Sequence, residues 1–264
     1  MAGVVEINSR EYKVMLDQRL FVERKKAAAS FWKDLTAAAD RMKGIDHEGE
    51  FDRTKKRVIT FLDTPDGTIR RNGFVFRKRS DLEKEKSEYT LKCRSPERYA
   101  AAGANVVSAA TLKGKPKFEE DIAAPFFPRY SHSNTVEAAK KTPKKLEQAA
   151  QLFPALGTLV RDGERCPTDV QLQPTNSVEM FERVLTGPAF RFKKVEAEVA
   201  LILWSNGEDG RPLVAEFSFR YAVENGAVES NVAASAMEFF TELQRLDWCV
   251  PDARTKTQYV YQEN

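Results

Sequence analysis

Cationic and hydroxyl side chains recur at every second position in two neighbouring segments of the chain. Arg77 and Arg79 are separated by one residue, and Thr90, Lys92 and Arg94 follow the same spacing. Because successive side chains of a β-strand point to opposite faces, each set would lie on one face of a strand. The two segments therefore predict adjacent strands of a sheet whose polar face can hold an anionic ligand.

The predicted elements favour a sheet or barrel with appended helices. Apolar residues at helical spacing predict one helix over 22–43 and another from Ser230 or Asn231 to Leu246, and a capping pattern predicts a helix start at 134–137. Strands are predicted over 4–16, 57–63, 74–79, 88–94, 117–122, 157–165, 178–185, 190–204, 212–223 and 255–261. Since strands and helices do not alternate regularly, we expect an α+β fold with a mostly antiparallel sheet or barrel, not a doubly wound one.

The charge balance argues against a nucleic-acid-binding protein. The 264 residues include 42 Lys and Arg and 39 Asp and Glu, which gives a net charge of +3. Proteins that coat a polyelectrolyte carry a stronger basic excess. Interleaved basic and acidic groups are therefore the better interpretation, and a nucleic-acid-binding β protein is less favoured. A purely structural barrel, which would bind neither a phosphate compound nor nucleic acid, is a further alternative.

The cysteine pattern and the hydropathy indicate a cytoplasmic protein. Cys93, Cys166 and Cys249 lie far apart and form no C-x-x-C motif, which is typical of reduced thiols. No apolar run approaches the roughly 20 residues that span a bilayer, and the N-terminus lacks a signal-peptide pattern. We expect no membrane association, and a single domain over 1–264 that is long enough to bury a substantial core.

Acidic side chains occupy alternating positions of other predicted strands. The set comprises Glu11 with Lys13, Glu119 with Asp121, Glu196 with Glu198, and Glu216 with Arg220. The solvated face of a half-buried sheet explains any single pair, but basic residues concentrate on 77–94 and acidic residues on 196–216. Arg side chains bind phosphate oxygens bidentately, and carboxylates beside a polyphosphate require a hard divalent cation such as Mg²⁺. The pattern therefore predicts a metal–polyphosphate site lined by the strands of a barrel.

The same segments resemble the CYTH-domain proteins, also called triphosphate tunnel metalloenzymes. Residues 61–66 and 73–79 are similar to that family's "Y-x-D-T-P-D…G…L-R-x-R" segment. Residues 89–92 resemble its T-L-K strand, and 117–121 its R-x-E-x-E strand. Further along, 214–218 resembles the late E-x-E-x-E strand, Thr255-Lys256 the terminal Ser-Lys, and Arg161 the basic residue after the central helices. The resemblance covers nearly the whole chain in order.

The resemblance implies an eight-stranded, mostly antiparallel β-barrel, or tunnel, that binds a small-molecule triphosphate with Mg²⁺ or Mn²⁺. The family's activities are hydrolysis of inorganic, thiamine or RNA triphosphates and a class of adenylate cyclisation. By position, phosphate would be bound by Lys13, Arg77, Arg79, Lys92, Arg94, Arg161 and Lys256. The metal would be held by Glu11, Glu196, Glu198 and Glu216, with support from Glu119 and Asp121. Glu11 and Lys13 would be the catalytic residues.

Two positions depart from the family pattern, and both are expected to hold metal. Ser9 stands at the first Glu of an N-terminal E-x-E-x-K signature, and Ser218 stands at the second Glu of the late strand. Glu196 and Glu198 are the residues that would compensate from a neighbouring strand. Three functions stay open: a metal-dependent phosphohydrolase acting on an inorganic, nucleoside or thiamine triphosphate, a non-catalytic polyphosphate- or nucleotide-binding tunnel protein, and a class IV-type adenylate cyclase.

Overall fold

The computed structural model describes residues 5–250 and 253–262 and has an α+β fold. Its strands are β1 (Ser9–Leu16), β2 (Ile45–Glu48), β3 (Arg53–Asp63), β4 (Phe74–Asp81), β5 (Lys86–Ser95), β6 (Lys115–Ala123), β7 (Phe127–Ala139), β8 (Val160–Arg161), β9 (Glu164–Arg165), β10 (Gln173–Thr186), β11 (Ala189–Phe192), β12 (Val195–Ser205) and β13 (Pro212–Ala222). Its α-helices are α1 (Arg24–Ala39), α2 (Thr68–Arg71), α3 (Arg98–Ala102), α4 (Leu146–Ala150), α5 (Ser230–Leu243) and α6 (Lys256–Tyr261). Two 3₁₀ turns cover Gln18–Phe21 and Pro154–Thr158. Across the described residues, every helix falls short of the length and hydrophobicity that a bilayer crossing demands.

Strand pairing closes nine of the strands into a barrel. The order is β10-β3-β4-β5-β7-β6-β1-β13-β12, and β12 pairs in turn with β10. Strands β11 and β2 extend from β12, and β8 and β9 form a separate ladder. The β1–β6 pair is parallel, whereas β1–β13, β3–β4, β4–β5, β5–β7, β10–β12 and β12–β13 are antiparallel. The predicted α+β barrel with appended helices is confirmed, but the expected count of eight strands is wrong, because β10 pairs on both sides and closes the ring as part of a nine-membered set.

The chain divides into two compact units, each assembled from separate segments. The first unit comprises Met1–Lys56, Glu119–Pro128 and Phe181–Lys256. The second unit comprises Arg57–Phe118, Arg129–Met180 and Thr257–Asn264. Each unit has its own apolar core.

Alternation along β1 and β13 builds the core of the first unit. Phe217 and Phe219 are two residues apart on β13, and both are fully buried. The Tyr12 ring of β1 stacks on Phe219 with 4.7 Å between ring centroids, and Phe240 of α5 lies 5.1 Å from Tyr12. Phe31 of α1 packs edge-on against Phe217 at 5.2 Å. Burying one such side chain contributes about 1.5–3 kcal/mol, so this aromatic face holds the two strands in a fixed orientation.

The same alternation builds the core of the second unit on the back of β4, β5 and β7. Phe76, Tyr89, Leu91 and Val136 face one side and are at most 1% exposed. Phe76 stacks on Tyr89 with 6.1 Å between centroids and meets Phe153 edge-on at 6.1 Å. The residues between these apolar positions must therefore face the other side of the sheet.

Asp63 organises the turn that leads from β3 to β4. Its Oδ1 accepts hydrogen bonds from the backbone N–H groups of Thr64 and Ile69, both at 2.8 Å, and its Oδ2 accepts one from Arg70 at 3.0 Å. These donors include the first N–H groups of α2, which have no partner inside the helix. Gly67 precedes the helix with φ +72°, a conformation that favours glycine. The Asp-Thr-Pro-Asp segment therefore fixes where β4 begins.

The helix start predicted at 134–137 is wrong, since these residues lie inside β7. Asn134 and Val136 are buried on one face, and Thr135 lies on the other face opposite Thr90 of β5. This period-two pattern pairs ten consecutive positions of β7 with β5. Pairing on that scale outweighs a local capping signal, because capping contributes about 1 kcal/mol.

The strand predicted over 255–261 is also wrong, since α6 occupies Lys256–Tyr261. Val260 is fully buried, and its carbonyl oxygen accepts a 2.8 Å hydrogen bond from Asn176 Nδ2. Tertiary contacts of this kind override the strand propensity of Tyr and Val. The strand predicted over 190–204 divides into β11 and β12 at Lys193, which has a φ of +57°. The predicted first strand begins at Ser9, and Val4 lies outside the described residues.

Candidate functional site

Strand β1 places Ser9, Glu11 and Lys13 on one face of the sheet in the first unit. The intervening Tyr12 and Val14 point to the opposite face, where they are 0% and 1% exposed in the aromatic core. The alternation that buries these two apolar side chains therefore orients the three polar ones.

Strand β6 runs parallel to β1 and adds two buried carboxylates to the same face. Ser9 is in register with Glu119, and Glu11 with Asp121. Glu119 and Asp121 are 6% and 5% exposed, and Ser9 Oγ donates a 3.1 Å hydrogen bond to Glu119 Oε1. Carboxylate oxygens of Glu11, Glu119 and Asp121 all lie within 4.8 Å of one another. We call Ser9, Glu11, Lys13, Glu119 and Asp121 the carboxylate face.

Lys13 places a positive charge among these acids. Its Nζ lies 2.9 Å from Glu11 Oε2 and 2.8 Å from Asp121 Oδ1. Both contacts fall in the range of charge-assisted hydrogen bonds. A single ammonium group therefore contacts two of the three carboxylates.

Arg220 of β13 is a second cation beside this cluster. It is in register with Glu11 and donates a hydrogen bond from Nη2 to Glu198 Oε2. Burial of the guanidinium lowers its pKa, but the hydrogen bond to Glu198 and the charges of Glu11 and Glu119 outweigh this effect, so the pKa of Arg220 is raised. The sequence pattern placed Arg220 among the charged strand residues but did not assign it to the site. Only the structure shows that Arg220 lies opposite Glu11 on the neighbouring strand.

Glu216 and Lys256 form an ion pair in the first unit. Lys256 Nζ lies 2.7 Å from Glu216 Oε1 and 5.9 Å from the ring centroid of Trp204. Trp204 is buried, and its Nε1 donates a 3.0 Å hydrogen bond to Glu182 Oε1. Glu216 and Lys256, predicted to hold metal and phosphate, therefore contact each other.

Glu182 is a fully buried carboxylate that sequence patterning did not single out. It lies on β10 in register with Trp204 of β12. Its neighbour Arg183 obscures the pattern, because charges at consecutive positions do not suggest one charged face. The available signal was its place in the row Met180, Glu182 and Val184, where an acid interrupts apolar residues on one face.

Glu196 and Glu198 lie on an exposed part of β12. Glu196 is in register with Arg191 of β11, and Glu198 has 73% of its side chain exposed. Neither belongs to the three-carboxylate cluster of the described residues. The acid that adjoins Ser9 is instead Glu119, from β6.

The second unit carries Arg77, Arg79, Lys92 and Arg94 on one face of β4 and β5, which we call the cation face. Its cations are half-buried and lie opposite the aromatic core side. The register places Thr90 opposite both Arg77 and Thr135, and the two threonine hydroxyls are 2.8 Å apart. Arg94 Nε donates a 3.1 Å hydrogen bond to Ser131 Oγ. The four predicted phosphate ligands on these strands therefore share a face with hydroxyl groups.

Arg161 lies on the short β8–β9 ladder, which is not paired with the strands that carry this face. The strand predicted over 157–165 is wrong, because Asp162 and Gly163 both have positive φ and turn the chain back after two residues. Arg161 is half-buried on this hairpin, and Val160 beside it exchanges two hydrogen bonds with the side chain of Asn72, two residues before β4.

The donor set of the carboxylate face fits a hard divalent cation. Glu11, Glu119 and Asp121 offer only oxygen ligands, which Mg²⁺ and Mn²⁺ prefer. Among the described residues, this is the one group of at least three acidic, histidine or cysteine side chains close enough together to share an ion. The absence of His and Cys from the group sets it apart from zinc sites.

Comparisons with known proteins add structural likenesses but no family assignment. No protein-family model matches the chain, and no curated protein matches it. Among solved structures, the chain is similar to a candidate adenylyl cyclase from Hippeastrum that is described as having a dominant triphosphatase activity, with 13% identity, a TM-score of 0.44, and coverage of 97% of this chain and 95% of that one.

Two further structures are similar at comparable levels. One is a candidate adenylate cyclase from Bacillus halodurans, with 11% identity, a TM-score of 0.43, and coverage of 99% of this chain and 100% of that one. The other is a candidate adenylate cyclase from Vibrio parahaemolyticus, with 10% identity, a TM-score of 0.38, and coverage of 96% and 98%. Likenesses this low assign no activity to the chain.

Proposed function

We propose that this protein is a divalent-metal-dependent phosphohydrolase that acts on a triphosphate compound. The observation that carries the proposal is the carboxylate face, where three acids converge within 4.8 Å of one another and the ammonium group of Lys13 contacts two of them. The resemblance of 61–92 and of the flanking strands to triphosphate tunnel metalloenzymes supports the choice of substrate class.

In this proposal Glu11, Glu119 and Asp121 hold Mg²⁺ or Mn²⁺. When bound, the cation neutralises charge that develops on the phosphate oxygens. Glu216 is a further carboxylate of the first unit that can support the site once Lys256 is engaged elsewhere. Exposed Glu196 and Glu198 have a smaller role, because a solvated carboxylate loses little by staying in water.

The cations bind the phosphate chain. Arg77 and Arg79 present guanidinium forks that match phosphate oxygens, and Lys92 and Arg94 add charge on the same face. Hydroxyl groups such as that of Thr90 can donate further hydrogen bonds. In the same proposal Lys13, Arg161 and Lys256 bind phosphate from other parts of the chain.

The chemical step is an attack by water on the terminal phosphorus. The new bond joins the water oxygen to phosphorus, and the bond to the bridging oxygen breaks, which releases orthophosphate. Glu11, the least buried of the three clustered acids, accepts the proton of the water. The chain's contribution is mainly the positioning of substrate and charge, as in other phosphoryl transfers.

The proposal is tested by measuring orthophosphate release from tripolyphosphate, ATP and thiamine triphosphate with Mg²⁺ or Mn²⁺. We expect turnover of at least one substrate, and a loss of about 10²-fold or more in Glu11→Gln. Glu120→Gln is the matched control, because Glu120 lies on β6 between Glu119 and Asp121 but faces away and pairs with Arg10 at 2.9 Å. If no orthophosphate is released above background from any of the three substrates, the proposed enzymatic activity is refuted.

A non-catalytic triphosphate-binding protein is the second candidate. Ser9 and Ser218 stand where the resembling family carries glutamates, which reduces the number of metal ligands. Calorimetry with tripolyphosphate would then show binding without turnover. Formation of cyclic AMP and pyrophosphate from ATP in the same assay would indicate the adenylate cyclase instead.

A further inference from the structure

Lys13 makes short contacts to two of the three acids that would ligate the cation. Its Nζ lies 2.9 Å from Glu11 Oε2 and 2.8 Å from Asp121 Oδ1. An ammonium group and a hard divalent cation both seek carboxylate oxygens. The lysine and the metal therefore compete for the same atoms.

The acids need a positive charge nearby in the absence of a metal. Three carboxylates within 4.8 Å repel one another, and this repulsion is strong where burial lowers the effective dielectric constant. Ser9 gives Glu119 a hydrogen bond but no charge. Removing a cationic partner of buried acids leaves their charge less compensated, which is unfavourable. Arg220 interacts electrostatically with Glu11 and Glu119, and the ammonium group of Lys13 contacts Glu11 and Asp121 directly.

We infer that Lys13 is a resident counter-ion of the carboxylate cluster, and that a divalent cation binds by displacing its ammonium group from Glu11 and Asp121. The displaced group then becomes available to phosphate, a step that rests on the proposed function. The displacement itself rests only on the metal site of that proposal and not on triphosphate hydrolysis, because it concerns only the lysine, the three acids and the metal.

The first experiment measures Mn²⁺ binding to the full chain without any phosphate ligand, from the electron paramagnetic resonance signal of free Mn²⁺. Lys13→Met removes the competitor, so we expect its Kd for Mn²⁺ to fall by about tenfold, within the range usual for coupled binding events. Lys13→Arg keeps a cation at the position and should stay close to the wild type.

Lys26→Met serves as a matched control. Lys26 also pairs with a carboxylate, at 3.5 Å from Glu23, but its side chain is 79% exposed. An exposed pair contributes about 0–1 kcal/mol, and it lies outside the cluster, so Mn²⁺ affinity should not change. An unchanged or weaker affinity in Lys13→Met, or no Mn²⁺ binding to either protein, overturns the inference.

A second measurement uses the wild type and does not depend on how a variant folds. The rate at which acetic anhydride modifies the Lys13 amine is followed by mass spectrometry with and without saturating Mn²⁺. Release from two carboxylates should raise this rate several-fold relative to Lys26, and an unchanged ratio contradicts displacement. Failure of triphosphate hydrolysis would refute the proposed function while leaving both of these results to stand.

Discussion

The carboxylate face of the first unit and the cation face of the second unit differ in the charges that they bring together. Both are the polar side of strands whose other side is an aromatic core. On the carboxylate face, parallel pairing of β1 with β6 brings acids together, and Lys13 contacts two of them. On the cation face, antiparallel pairing brings arginine and lysine beside Thr90 and Ser131.

The difference lies in the partner strand and not in the strand itself. Alternation decides which side chains leave the core, but the neighbouring strand decides what they meet. Acids of β6 adjoin β1 and gather beside Glu11. On β4 and β5, Thr90 lies opposite Arg77, Glu88 lies opposite Arg79, and Ser131 of β7 accepts a hydrogen bond from Arg94.

The largest expected effect tests the cation face. Arg77→Ala should lower kcat/KM for a triphosphate by about 10²–10³-fold, or 2–4 kcal/mol of transition-state stabilisation, because a preorganised cation is lost. Phosphate-release kinetics measure this. Lys78→Ala is the matched control, since Lys78 lies on the next position of β4, faces the other side and binds Thr142 Oγ1 at 2.6 Å. Equal losses in the two variants would remove the distinction between the two sides of β4.

The next effect tests the carboxylate face. Asp121→Asn removes one charged ligand and should raise the Kd for Mn²⁺ by about 10–100-fold, as loss of a group from a metal site commonly does. Calorimetric titration with Mn²⁺ alone measures this. Lys78→Ala, which alters the second unit away from both faces, should leave the Kd unchanged. A shift of similar size in that variant would mean that the loss in Asp121→Asn is not specific to the carboxylate face.

A smaller effect concerns Ser9, which holds Glu119. Ser9→Ala leaves a buried carboxylate with one hydrogen bond fewer, so the free energy of unfolding should fall by about 1.5–3 kcal/mol. Urea unfolding measures the change without metal. Ser30→Ala, an exposed position on α1, is the control and should change stability by about 0.5 kcal/mol or less. Loss of stability in both variants alike would mean that the Ser9–Glu119 contact is not what matters.

Alternation made the faces predictable from the sequence. The expectation that Arg77 and Arg79 share a side needs only the period of a strand, and the buried Phe76 and Leu91 on the opposite side of β4 and β5 agree with it. That Lys92 joins them depends in addition on the pairing of β4 with β5. Strand partners were harder to foresee, because β1 pairs with β6 across more than one hundred residues. Glu119 and Asp121, expected as supporting residues, are therefore the acids nearest Glu11.

Other expectations failed where tertiary contacts outweighed local signals. The sequence at 134–137 matches a helix-capping pattern, but β7 pairs with β5 along ten residues, and this pairing holds the segment in a strand. Glu182 was missed for another reason, because the local signal, an acid between Met180 and Val184, does not reveal that its partner is the indole of Trp204. Sequence periodicity thus fixes which way a side chain points, and the fold decides what it contacts.

The smallest effect concerns the pH dependence of stability and a histidine on the core side of β7. His132 lies on β7 between Ser131 and Ser133 and meets Phe118 edge-on at 5.7 Å. Burial lowers its pKa from the ordinary 6.5, and hydrogen bonding with the backbone of Ala101, Ala102 and Ala104 only partly offsets this. The folded state therefore favours the neutral ring. Its contribution to stability is complete above pH 6.5 and is lost as the pH falls below that value through the pKa of the folded state.

Thermal unfolding between pH 7.5 and pH 5 measures this, and His132→Gln should flatten part of the decline. His47→Gln is the matched control, because His47 is the other of the two histidines and lies on β2 of the first unit. Its variant should retain the wild-type decline. If the decline is instead unchanged in His132→Gln, protonation of His132 is not its source.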